Sequence, residues 1–284
     1  MTTRTGSGLP NFTEHEGHAK LESFEDGRYV KPVPFLGNWL VELGAELDRD
    51  GENPRILDIG CGRGDTLFWM LDHGWDAWGI DVDERYLEVG RDHLRARGEE
   101  PERLKWFDGG PYPFPDEHFD AVISDQVFEH VDDLDALAAE AARVTRDGGR
   151  GMHIFPARWR PLEPHLRAPV VHWLPKGRSR RVALQVLLRS HMAASYFADF
   201  DLDDRVTIFA EFSDMETFYR PIPEIQATLA RNGIAADPIG PSRQKVSRRL
   251  PWVPVPGRPA AAWLIRNCAT VALETRQVGR PAAA

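Results

Sequence analysis

Apolar positions along the chain fall into two kinds of run that alternate. Short, nearly unbroken runs closed by an acid, a serine or a proline read as strands buried on both faces. They are Arg55–Ile59, Ala77–Ile80, Leu104–Phe107, Ala121–Ser124 and Gly151–Phe155. Between them lie segments with helical character. Pro32–Asp48 carries Leu36, Leu40, Leu43 and Leu47 on one face. Thr66–His73, a segment from Asp83 or Glu84 to about Arg97, and Leu134–Val144 read the same way. Their stops are Gly74, then Gly98 with Pro101, then Asp147-Gly148-Gly149. Strand and helix alternating over about 100 residues predict an α/β domain with a parallel sheet covered on both faces.

After Pro156 the pattern changes. Ala157–Asp204 is rich in Pro, His, Trp and Arg and reads as an inserted lid holding one helix, Val182–Phe200. A helix Ile222–Asn232 closed by Gly233 follows, then a short strand, Ile234–Ile239. Pro241–Pro259 is basic and proline-rich, Ala260–Asn267 is a helix or apolar packing segment, and Ala269–Glu274 reads as the last strand. The expected division is a flexible N-terminal segment and cap over residues 1–34, one domain over 35–276 with the lid at 157–204, and a disordered tail over 277–284.

Composition narrows the class. With 42% apolar and 28% charged residues among 284, the chain is expected to be soluble and to bury a large core without staples. Two distant cysteines, Cys61 and Cys268, argue against a disulfide framework and a structural zinc site. A cationic start followed by an apolar run is missing, as is any apolar stretch of about 18 residues, so a cytoplasmic location is expected. The net charge of −9 disfavours broad binding to nucleic acid.

The chemistry centres on Ile56–Asp65, ILDIGCGRGD: an apolar strand, Asp58, glycines at Gly60, Gly62 and Gly64, then a helix. Such a turn offers backbone N–H groups to a nucleotide-like ligand, and glycine lets the backbone come close to it. The spelling excludes a phosphate-cradling GxxxxGK[ST] loop and departs from the dinucleotide GxGxxG. Asp58 would repel a pyrophosphate but could accept hydrogen bonds from a cationic ligand. Asp81, ending the second strand about 20 residues after the first glycine, is placed to accept hydrogen bonds from ribose hydroxyls. Asp83 is the better candidate for capping the next helix.

ILDIGCGRGD resembles motif I of the class I S-adenosylmethionine-dependent methyltransferases. The resemblance continues through GIDVD, through FDGGPYPFPDEHFDAVIS, through FEHV (Phe128–Val131), which is similar to the ubiquinone-biosynthesis-like branch, and through EAARVTRDGGR (Glu140–Arg150). It is close over Arg55–Pro156 and loose over about 35–276; VTRDGG departs from the family's commoner turn. It implies a Rossmann-like three-layer sandwich whose seven-stranded sheet is mostly parallel with an antiparallel last strand. It implies S-adenosyl-L-methionine as cofactor and no metal. The loop residues Asp58, Gly60, Cys61, Gly62 and Gly64 would lie beside the amino-acid part of that cofactor. Asp81 and Val82 would meet its ribose, Asp108 and Gly109 its adenine, and Asp125 and Gln126 would form the wall beside it.

The motifs leave the methyl acceptor open. His130, beside the loop, and His165 and His172, in the insertion, are the candidate catalytic bases. The Arg, His and Trp of Ala157–Arg181 would suit a phosphate-bearing or sugar acceptor. The expected acceptor is an oxygen of a small molecule, sugar or lipid-linked intermediate. SDQV after the fourth strand disfavours a nucleic-acid adenine. Alternatives are an RNA methyltransferase and a cofactor-binding protein without turnover. The basic stretch 243–258, with Arg248, Arg249 and Trp252, could touch anionic lipid headgroups at a membrane surface.

Overall fold

A computed structural model describes residues 9, 10, 12, 29–47, 53–249, 252 and 254–279. Most of the expected N-terminal segment and cap, and the tail beyond 279, lie outside the described residues. The elements run α1 (Pro34–Leu47), β1 (Arg55–Ile59), α2 (Asp65–Asp72), β2 (Asp76–Asp81), α3 (Glu84–Arg97), β3 (Leu104–Trp106), β4 (Phe119–Asp125), α4 (Leu134–Val144) and β5 (Thr145–Pro156). Then come α5 (Arg178–Arg189), α6 (Leu202–Met215), α7 (Ile222–Arg231), β6 (Ile234–Asp237), α8 (Ile239–Arg249), α9 (Arg258–Cys268) and β7 (Thr270–Gln277).

One seven-stranded sheet runs β3-β2-β1-β4-β5-β7-β6. β1 to β5 pair in parallel, and β7 is antiparallel to both β5 and β6. This is the expected sheet. The alternation of side chains along each strand explains why the runs are apolar throughout. Leu57, Ile59, Val122 and Phe155 face α4 and α7, meeting Leu137, Ile225 and Leu229. Ile56, Ala121, Ile123 and Ile154 face α1, α2 and α3, meeting Leu40, Phe68 and Leu94. Both faces are buried, so alternation of polarity vanishes from the sequence.

Between β5 and α7 stands a helical layer with a core of its own. Leu184 and Leu188 of α5 pack against Phe209 and Phe212 of α6, and Phe12 is buried among them. The expected helix Val182–Phe200 is shorter at its end: 190–201 is not helical, and a second helix follows beyond it. α5 ends at Arg189, and α6 starts behind Asp201, whose side chain accepts from the Asp204 backbone N–H. The layer therefore runs past Asp204 to Pro221. Pro241 sits in the first turn of α8, where its missing N–H costs nothing, so the basic stretch opens as a helix rather than as irregular chain. Residues 250, 251 and 253 and the side chains of Arg248 and Arg249 lie outside the described residues; Trp252 is 75% exposed.

Two expected boundaries move. Gln277, placed in the tail, is the buried last residue of β7, paired with Ile234. Tyr29 and Val30, within the expected segment and cap of residues 1–34, are tied to α2: the Tyr29 hydroxyl donates to Asp72 and the Val30 N–H to Asp65. Among the described residues, no helix is long and apolar enough to cross a membrane.

Candidate functional site

The parallel strands bring the carboxyl ends of β1, β2, β3 and β4 to one edge, and the neighbours of β1 lie on opposite sides of it, at β2 and β4. That arrangement opens a crevice at the end of β1, where ligands of such sheets bind. All three loop glycines have positive φ: 69° at Gly60, 54° at Gly62 and 89° at Gly64. They differ in what surrounds them. A Cβ on Gly60 would fall 2.4 Å from Val127, whereas one on Gly62 would meet nothing within 4 Å. Gly60 is therefore pressed against the β4–α4 connection, and Gly62 presents open backbone.

The rest of the loop is held by backbone bonds. Gly60 and Cys61 both donate their N–H to the Ile80 carbonyl, and the Gly62 N–H donates to Asp81 Oδ2 at 2.8 Å. Asp81 Oδ1 accepts from the Asp83 N–H, so this one carboxylate joins the loop to the start of α3. Asp83 caps α3, as its spacing predicts. The Cys61 side chain packs over Gly79 of β2, close enough that a Cβ there would meet its Sγ at 2.7 Å. Only the backbone of Cys61 belongs to the loop surface.

Asp58 is 5% exposed. Burial, then the nearby Asp125, Asp81 and Asp65, hold its carboxyl well above the usual carboxylate range. Burial likewise raises Asp81 against the pull of its N–H donors. The loop's one cation, Arg63, pairs with Asp65 at 2.8 Å. This edge is thus acidic and short of cations. Asp108 and Gly109 are exposed beyond β3, with Asp108 accepting from the Gly110 N–H. Val82 is 60% exposed, and its carbonyl accepts from Trp106 Nε1. Gln126 takes a left-handed φ of 60°, its N–H donating to Ile154 and its side chain to Asp125.

Next to this edge the structure gathers a second set of groups. Glu129, which nothing in the local sequence marks out, is 2% exposed, and no other described residue gives either carboxylate oxygen a hydrogen bond. Burial pushes its carboxyl up to about 8. His130 and His165 meet with ring centroids 4.8 Å apart. One atom from each of Glu129, His130 and His165 lies within 4.8 Å of the others. His130 Nδ1 is 2.8 Å from the Glu216 carbonyl.

Residues 57–152 match the family model described as a methyltransferase domain. A methyltransferase of Streptomyces halstedii, GfsG, is 35% identical over 127 residues, 44% of this chain and 46% of that protein. The ubiquinone/menaquinone biosynthesis C-methyltransferase UbiE of Burkholderia orbicola is 37% identical over 113 residues, 38% of this chain and 46% of that protein. The chain carries a class I S-adenosylmethionine-dependent methyltransferase domain. The matched stretch spans less than half of either relative. The fold extends further: phosphoethanolamine N-methyltransferase 2 of Haemonchus contortus, in complex with S-adenosyl-L-methionine, is 15% identical, covers 95% of this chain and 58% of that one, and superposes with a TM-score of 0.50. A candidate sarcosine dimethylglycine methyltransferase of Galdieria sulphuraria gives 0.51 over 93% of this chain and 98% of that one, at 12% identity.

The residues present in this methyltransferase domain fit the family's cofactor. It is cationic at sulfur and at its amino group and carries ribose hydroxyls. An open glycine backbone at Gly62, a buried acid at Asp58 and a strand-end carboxylate at Asp81 match those features, and no phosphate clamp competes with them.

The three candidate histidines separate. His130 and His165 meet, but His172 lies in the lid, tilted against Tyr219 (4.7 Å between ring centroids), and burial brings its imidazole down to about 4. It lines a cavity of about 330 Å³ with Arg158, Lys176, Arg180, Phe218 and Tyr219. The Tyr219 hydroxyl donates to the buried Glu163 at 2.6 Å. Arg220 donates to main-chain carbonyls of the β4–α4 connection, among them Val131 at 2.8 Å. Trp159 and Trp173 meet edge to face at the surface rather than packing into the core.

Proposed function

We propose that the chain transfers the methyl group of S-adenosyl-L-methionine to an oxygen of a small molecule, sugar or lipid-linked acceptor. The cluster of Glu129, His130 and His165 beside the glycine loop carries this reading. Bound S-adenosyl-L-methionine supplies a methyl group already activated on a sulfonium, so the protein has to align the partners and exclude water. A hydroxyl acceptor must also lose its proton, which a carbon nucleophile or a free amine demands of the protein in different ways. A buried carboxyl that titrates at about 8, next to two imidazoles, is suited to handle that proton near neutral pH. Asp58, Asp81 and the Gly62 backbone would hold the donor, with Asp108, Asp125 and Gln126 along the same edge.

The lid supports the acceptor class. Its cavity combines three cations with aromatic walls, a lining that suits hydroxyl-rich or anionic groups. The test is incubation with methyl-labelled S-adenosyl-L-methionine and separated lipid, glycan, small-molecule, RNA and protein fractions. Label appearing as an O-methyl group in one of the first three is the expected result. Label confined to RNA, or cofactor affinity with no labelled product, would overturn the reading.

A further inference from the structure

We infer that Glu129, His130 and His165 form a binding site for a divalent transition-metal ion. The donor set comes first. Two imidazoles and one carboxylate are the ligands that zinc, iron(II), cobalt(II) and manganese(II) take in open sites, with positions left for water or substrate. Their ligand atoms lie within 4.8 Å of one another. An ion with bonds of about 2.0–2.2 Å in an open site places neighbouring ligands roughly 3 to 3.6 Å apart. Side-chain rotations that draw the set together by about 1–2 Å close it.

Three independent features of the fold point the same way. Glu129 is almost wholly buried, and no other described residue gives either carboxylate oxygen a hydrogen bond, a costly arrangement unless something satisfies it. A cation does so. His130 Nδ1 sits on the Glu216 carbonyl at 2.8 Å. Donation of Nδ1–H to a carbonyl leaves the lone pair on Nε2, the outer-shell contact that orients metal-binding histidines. The backbone beneath the ligands is fixed too. The Glu129 carbonyl accepts from the Phe218 N–H at 2.6 Å, and Phe212 packs against both imidazoles, 6.3 Å from His130 and 5.4 Å from His165. Glu129 and His130 come from the β4–α4 connection and His165 from the lid, so the ion bridges the sheet edge to the inserted layer.

The ion's role in the chemistry rests on the oxygen-transfer reading above; its binding does not. An ion at this place would supply Lewis acidity to an acceptor hydroxyl and lower that hydroxyl's pKa, replacing the free Glu129 carboxyl as the group that eases loss of the proton.

Cobalt(II) is the probe, titrated into tag-free, metal-stripped full chain. The expected result is one cobalt per chain with visible d–d bands. The intense thiolate band that Cys61 or Cys268 would give should not develop. E129Q and H165A should lose the bands and at least tenfold of the affinity, while still binding S-adenosyl-L-methionine as wild type does. Sub-stoichiometric cobalt in wild type, or unchanged spectra in E129Q and H165A, would overturn the site. The labelled-transfer assay reads the other claim separately: stoichiometric metal with no O-methyl product in any fraction leaves the metal site standing and removes the oxygen-transfer reading.

Discussion

Single residues at the glycine loop divide the work of shape from the work of binding. Gly60 and Gly62 share a left-handed backbone, which costs a residue with a Cβ about 1–2 kcal/mol. Only Gly60 also has a neighbour in the way, at 2.4 Å. Gly60→Ala is therefore expected to lose about 3 kcal/mol, strain plus overpacking, in urea unfolding. Gly62→Ala should lose about 1 kcal/mol, yet weaken S-adenosyl-L-methionine at least tenfold by calorimetry, because its methyl group fills the open side of the loop. Equal losses of stability would show that the two positions are not distinguished by Val127. Asp81→Ala removes the acceptor of two backbone N–H groups and a candidate ribose partner, so donor affinity should again fall by tenfold or more. Wild-type affinity in that variant would refute the donor site. His153 sets a pH dependence. It is buried in β5, 2.9 Å from the Ser124 hydroxyl, and burial lowers its imidazole from the ordinary 6.5 to about 3. The unfolded chain binds the extra proton between those values, so stability is full above pH 6.5 and is lost as pH falls toward 3. The slope approaches about 1.4 kcal/mol per pH unit. His153→Gln should flatten that part of a stability–pH series, and an unchanged slope would place the acid sensitivity elsewhere.

At the scale of elements, the inserted layer is held by aromatic packing that reaches far along the sequence. Phe12 is 1% exposed and touches the rings of Phe209 and Phe212, with centroids 5.4 and 4.4 Å away. Phe12→Ala should destabilise α5 and α6 by about 3–5 kcal/mol, seen as faster hydrogen exchange there while β1 and β4 keep their protection. Exchange accelerating equally in the sheet would mean that the layer has no separate stability. This packing also explains what was legible in the sequence. Strands β1, β2, β4 and β5 and helices α1 to α4 were readable because apolar runs and glycine or acid stops are local signals. α6 was not, because Ala193, Ala194 and Phe197 carry an apolar pattern straight across the break between two helices; the Asp201 cap was the available sign. Similarly, Asp58 and Asp81 could be picked out from their offsets to the glycines. Glu129 could not, since in FEHV it reads as a helix-start acid, and its burial depends on a lid that begins some thirty residues later.

Across the whole molecule, the donor loop and the lid both contact the same short segment, residues 127–132. Gly60 rests on Val127. Three residues along, His130 meets the Glu216 carbonyl, and the Glu129 carbonyl receives the Phe218 N–H. Arg220 then fastens the end of the lid to the carbonyls of Val131 and Asp132. A ligand can shift such an assembly only as far as its contacts differ between lid positions, and the effect is reciprocal. Filling the loop around Gly62 should restrict Val127, and through it the segment to which the lid is tied. Saturating S-adenosyl-L-methionine is accordingly expected to slow hydrogen exchange in α6 as well as in the loop and α2. At about 100 times its dissociation constant the cofactor should add about 2.7 kcal/mol to global stability. Arg220→Met keeps the side chain's length and apolar stem but removes its donors. It should leave donor affinity within about threefold of wild type and retain protection in the loop, while abolishing the cofactor-dependent protection of α6. Lid exchange that ignores the cofactor in wild type would show that the two halves work independently. Protection persisting in Arg220→Met would move the coupling to the Glu129–Phe218 and His130–Glu216 contacts, which are the ones that also hold the metal ligands in place.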